Sequence, residues 1–143
     1  MGIFKQSTTL ETLNQWSVNT LAEQLGIEFT AIGEDYLEAK MPVDRRTKQP
    51  LGLLHGGASV ALAETMGSVA AMLCVDPATH FCVGLEINAN HLKGAREGFV
   101  KGITKPIHVG RKTQVWEIRI SNEREELVCI SRITLAVLEK TSI

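Results

Sequence analysis

The sequence predicts an α+β domain in which an antiparallel sheet packs on one long helix. Three observations carry that expectation. From Gln49 to Val75 the chain carries a single formally charged residue, Glu64, among Ala, Val, Leu, Gly and Ser, a length and composition that suit a buried helix. Segments on either side alternate apolar and polar residues with the period of two expected of half-buried strands. The predicted order is short helices, two strands, one long helix and four strands. Strands grouped in this way, without a helix between each pair, pair antiparallel.

Each element has its own signal. A short helix starts near Thr8 or Thr9, with Glu11 in its first turn. In "TLAEQLG", Thr20 and Glu23 have capping-box spacing and Gly26 is a C-terminal stop. "IEFTAI" and "DYLEAKMPV" flank Gly33-Glu34 as a hairpin; in the second, Leu37, Ala39, Met41 and Val43 alternate with polar residues. The long helix is expected over Gly57 to Cys74, stopping at Asp76-Pro77. Four strands follow, over Cys82–His91, Gly98–Pro106, Thr113–Ser121 and Leu127–Leu138, the last two joined by a turn at "NEREE". Ala58, Ala61, Ala63, Gly67, Ala70 and Ala71 leave the helix slim enough for a sheet to curve around it. Gly67 costs about 1 kcal/mol of helix stability relative to Ala, so a packing reason is expected for it.

Composition narrows the function. The 143 residues suit a single domain, 1–143. A net charge of −1 argues against nucleic acid, whose phosphates call for a strongly basic surface. Cys74, Cys82 and Cys129 lie in apolar runs and match no metal-ligand spacing, so they read as buried thiols of a reducing cytoplasm. No secretory signal opens the chain. His55, Glu64 and the Gly and Ala content make Leu51 to Val75 a core helix rather than a membrane span.

Three features could carry chemistry. His55-Gly56-Gly57 stands where the long helix begins, and a helix start offers unpaired N–H groups and a partial positive charge to a developing oxyanion. The bland alternative is that the glycines only ease a bend. Glu64, with Thr65 beside it and Ser68 one turn on, is a carboxylate in apolar company, costly to bury without compensation. It suits a general base or a nucleophile, or a structural ion pair. Finally, His91 to Lys112 holds six basic residues against one acid, Glu97, a local +5. Its loop-like clusters "HLKGARE" and "HVGRKT" could hold the phosphates of a nucleotide-bearing ligand.

Together, "MPVDRRTKQPLGLLHGGASVALAETMGSVA", "VGLEINANH", "KPIHVGR" and "SRITLAVLE" resemble the hotdog-fold acyl-CoA thioesterases. The similarity covers Leu25 to Leu138 and is greatest to the branch acting on 1,4-dihydroxy-2-naphthoyl-CoA and to the enterobactin proofreading branch. The resemblance implies a six-stranded antiparallel sheet wrapped around a central helix, a homodimer that pairs again into a tetramer, and active sites between subunits. It implies Glu64 as catalytic carboxylate, the Gly56 N–H as the group polarising the thioester carbonyl with help from His55 and Gln49, and Ser68 as an orienting hydroxyl. Gly84, His91, Leu92, Lys93 and Gly94, with His108, Val109, Gly110, Arg111, Lys112 and Thr113, would hold the acyl-CoA or a carrier-protein thioester. No cofactor, metal, nucleic acid or membrane is called for. The competing readings are a hotdog hydratase or dehydratase and a non-catalytic acyl-CoA-binding protein.

Overall fold

The computed structural model describes residues 2–141. Two short helices, α1 (Leu10–Trp16) and α2 (Leu21–Leu25), precede the hairpin of β1 (Glu28–Ile32) and β2 (Leu37–Pro42). The long helix α3 (Gly56–Leu73) follows, then β3 (His80–His91), β4 (Phe99–Val109), β5 (Thr113–Ser121) and β6 (Leu127–Glu139). The strands form one antiparallel sheet in the order β1-β2-β4-β5-β6-β3. Alternate residues, such as Leu37, Ala39 and Met41 on β2 and Trp116, Ile118 and Ile120 on β5, are buried and form the core with Leu62, Met66 and Ala70 of α3.

The small residues of α3 let the sheet come close. A methyl group at Gly67 would lie 2.5 Å from Ile133 Cγ2, and one at Gly102 of β4 would lie 2.5 Å from Met66 Sδ. Gly67 therefore has the packing reason its cost requires.

Several expectations shift in detail. β4 continues past Pro106 to Val109. β2 pairs with β4 only as far as Thr104, so on that side no strand lies beside Pro106, and on the other side the pairing with β5 shifts register between Pro106 and His108. The Thr20–Glu23 pair does not form a capping box. Glu23 Oε2 instead accepts the Asn19 N–H at 2.5 Å, while Thr20 Oγ1 donates to Ser17 O at 2.6 Å. Gly26 ends α2 in the left-handed region (φ 72°) as expected.

The amino-terminal arm closes the far end of α3. Lys5 and Gln6 N–H donate to Leu73 O at 2.8 and 3.2 Å, and Gln6 Nε2 donates to Met72 O at 2.6 Å. These bonds satisfy carbonyls that a helix C-terminus leaves without intrahelical partners. Phe4 stacks on Trp116, with ring centroids 6.3 Å apart.

Candidate active site

The loop between β2 and α3 carries the first site residues, and it is firmly held. Thr47 Oγ1 donates to Pro42 O at 2.7 Å, the His55 N–H to Thr47 O at 2.7 Å and the Leu54 N–H to Ala95 O at 2.7 Å. Gln49 sits on a turn closed by its own N–H to Leu53 O (2.8 Å) and by the Gly52 N–H to Gln49 O (2.9 Å). Gln49 Oε1 accepts the Leu51 N–H, which leaves the amide NH₂ as a donor.

His55 is the N-cap of α3, with extended backbone (φ −67°, ψ 131°), and its Nδ1 accepts the Gly57 N–H at 2.7 Å. Ala58 and Ser59 N–H both donate to His55 O, at 3.0 and 3.2 Å. Among the described residues the Gly56 N–H has no hydrogen-bond partner. It is the one free donor of the first turn, at the positive end of an 18-residue helix.

The two glycines have concrete neighbours. A methyl group at Gly56 would lie 2.9 Å from His91 Nε2, and one at Gly57 would lie 2.9 Å from His55 Nδ1. An imidazole thus lies against each, one local and one from the end of β3. Gln49, Leu53, Gly56, Ser59, His91 and Leu92 line a cleft of about 350 Å³, with Lys93 and Gly94 at its wall. Ser59 is 1% exposed and was not singled out from the sequence. Its position four residues after His55, on the same helix face, was the available signal.

Glu64 departs from expectation: it is exposed, not buried. Its Oε1 lies 3.4 Å from where a methyl group on Gly84 would sit, so the carboxylate rests against the backbone of β3, one of the two edge strands. Ser68 is half-buried one turn on. The surface that would remove water from Glu64 is not supplied by its own chain.

The basic segments separate. Lys93 is ion-paired with Glu126, and that bond, followed by one from the Asn122 amide, holds the Glu126 carboxyl below its ordinary range. His108, Val109, Gly110, Arg111, Lys112 and Thr113 form the β4–β5 turn at the opposite end of the molecule. Val109 to Lys112 share a hollow with Cys74 and Asp76, just beyond the C-terminus of α3, about 27 Å along the helix from the His55 cap. One chain does not bring this turn to the cleft. No thiol is poised as a nucleophile: burial pushes Cys74 up to about 11 and raises Cys82 and Cys129.

The thioesterase superfamily profile matches residues 51–129, which include α3 and its cap. The chain belongs to the thioesterase superfamily. It has that family's hotdog fold and is an enzyme of the thioester-hydrolase class. It is 55% identical to the 1,4-dihydroxy-2-naphthoyl-CoA hydrolase of Escherichia coli over 136 residues, 95% of this chain and 99% of that one. It is 52% identical to the proofreading thioesterase EntH of Cronobacter turicensis over 136 residues, 95% and 98% of the two chains. Its structure superposes on the Q49A mutant of thioesterase PA1618 from Pseudomonas aeruginosa with a TM-score of 0.96 at 50% identity, covering 97% of this chain and 100% of that one.

Proposed function

We propose that the enzyme hydrolyses an aromatic acyl thioester, of hydroxybenzoyl or dihydroxynaphthoyl type, carried on CoA or on an acyl carrier protein. The resemblance to the 1,4-dihydroxy-2-naphthoyl-CoA hydrolase supports the aromatic acyl group. The observation that carries the reaction is the unpartnered Gly56 N–H at the start of α3. It can donate to the thioester carbonyl oxygen and stabilise the oxyanion that forms there, and one such donor contributes about 10²–10³-fold to kcat.

Glu64 supplies the other half. As general base it takes a proton from the attacking water; as nucleophile it adds to the carbonyl carbon, and water then cleaves the resulting anhydride. In both cases the C–S bond breaks, the thiol leaves and the acid forms. Ser68 orients the carboxylate or the water.

The active site in this reading is shared between two chains. Gly56 and Glu64 are eight residues apart on one helix, about 12 Å along its axis, and lean on different residues of β3, His91 and Gly84. Groups attacking and polarising one carbonyl must both come within about 3.5 Å of it. A two-fold partner set against the free edge of β3 would run its α3 antiparallel to the first. That arrangement brings the Glu64 of one chain toward the Gly56 of the other and excludes water from the carboxylate. We place the enzyme in a homo-oligomer on this ground, with two such dimers forming a tetramer.

Glu64→Gln tests the reaction directly. The exchange preserves size and removes charge, so kcat should fall about 10²-fold or more with unchanged thermal unfolding. Thiol release is followed with a thiol-reactive dye on benzoyl- and naphthoyl-CoA. More than a tenth of wild-type kcat in a folded variant would remove Glu64 from the chemistry.

A further inference from the structure

We propose that the hydroxyl of Ser59, on the floor of the cleft, donates a hydrogen bond to the thioester carbonyl oxygen beside the Gly56 N–H, which makes Ser59 a further catalytic residue. The inference deepens the thioesterase reading and rests on it for the identity of the acceptor.

A serine inside a helix ordinarily turns its hydroxyl back onto the carbonyl four residues earlier. Thr65 makes the equivalent bond on α3, donating to Ala61 O at 2.7 Å. Ser59 does not. The carbonyl it would use, His55 O, already accepts the Ala58 and Ser59 N–H groups at 3.0 and 3.2 Å, one for each lone pair. Among the described residues the Ser59 hydroxyl has no hydrogen-bond partner, although the residue is 1% exposed. The hydroxyls of Thr8 and Thr104 are sealed from water without a partner, and that of Ser59 is not among them. The small part of Ser59 left open is its hydroxyl, and it opens on the cleft that Ser59 lines.

A buried polar group costs stability unless it is paired. Alanine would fill the same place without that cost and is the better helix former, so the hydroxyl needs a reason outside the fold. Side chains on a helix lean toward its N-terminus. The Ser59 hydroxyl therefore lies over the first turn of α3, where the Gly56 N–H is also unpartnered. With the Gln49 amide the cleft holds three such donors, and among the described residues no carboxylate lines it. Leu53, Leu54 and Val128 make much of the remaining wall apolar. Donors gathered in apolar surroundings suit an acceptor oxygen that gains negative charge, as the thioester carbonyl does when it is attacked.

Three measurements on the full-length protein test this. Ser59→Ala should lose about 10²-fold in kcat with KM little changed, because the bond strengthens as the oxyanion forms. The same variant should unfold at the wild-type temperature or up to about 3 °C above it. Wild-type kcat would remove Ser59 from the chemistry, and a rise in KM alone would place the hydroxyl on another part of the substrate. A melting point several degrees lower would make the hydroxyl structural. The third measurement compares two inert ligands that differ by one oxygen. Phenacyl-CoA keeps the aryl carbonyl of benzoyl-CoA but sets a methylene between it and the sulfur, and phenethyl-CoA lacks the oxygen. Ser59→Ala should weaken phenacyl-CoA by about 3–10-fold and leave phenethyl-CoA unchanged; equal effects on both would overturn the hydrogen bond. Binding needs no turnover, so this pair decides the role of Ser59 even if Glu64→Gln kept its activity. If wild type bound neither ligand, the thioester reading would fall, and the acceptor with it.

Discussion

In the single chain, water reaches the Glu64 carboxylate, so the cost of burying a charge does not arise there. From the sequence this residue reads as buried, because its neighbours along the helix are apolar. Ala58, Leu62, Met66 and Ala70 are indeed buried; Glu64 faces outward over Gly84. The His-Gly-Gly motif was legible as a helix start. The reason for each glycine was not, because the ring against Gly56 belongs to His91, thirty-five positions away. A second residue-scale consequence concerns Asp44, which opens the loop leading to Gln49. The Arg46 guanidinium and N–H hold its carboxyl at about 2, below the ordinary 3.8. A depressed carboxyl contributes its stability above the ordinary value and loses it as pH falls toward the folded one. The difference in melting temperature between wild type and Asp44→Asn should therefore shrink from pH 5 to pH 2; a constant difference would contradict the assignment.

At the scale of elements, α3 was readable within a residue at each end, because its length, its small residues and Asp76-Pro77 all act locally. What closes its C-terminus was not readable, since Gln6 reaches Met72 across sixty-six positions. Close packing makes a prediction that opposes intrinsic propensity. Gly67→Ala gains about 1 kcal/mol as a helix former, but its methyl group must displace Ile133 Cγ2, part of a fully buried β-branched side chain. Overpacking of this kind costs about 1–3 kcal/mol. The variant should unfold at lower denaturant than wild type, and a midpoint above wild type would show that the sheet yields.

At the scale of the molecule the two sheet edges are treated differently. β1 has five residues, and the Asn14 side chain pairs with both polar groups of the Phe29 backbone, at 2.8 and 3.1 Å. β3 has twelve residues, pairs among the described residues only with β6, and exposes Val83 and Leu85. A long edge with apolar side chains invites another strand, and Glu64 stands beside it. The six strands were legible from their alternation. Their order was not, since no local pattern tells β3 to pair with β6 at the far end of the chain. The β4–β5 turn, remote from the cleft of its own chain, is proposed to meet the CoA phosphates at another subunit's site. On that account Arg111→Ala should raise KM for CoA thioesters, most at low salt, and spare a pantetheine thioester; equal losses on both would contradict it.

The shared active site is tested most directly by mixing two defective enzymes. Glu64→Gln removes the carboxylate and Gln49→Ala removes a group from the opposite half, so each homo-oligomer should be nearly inactive. After the two are unfolded together in equal amounts and refolded, half of the dimers are mixed. In each mixed dimer one site receives both substitutions and the other neither. Activity should return to about a quarter of that of wild type refolded alone, as two-fold symmetry requires. Activity no greater than the mean of the two variants would mean that each chain builds its active site by itself, and would contradict this account.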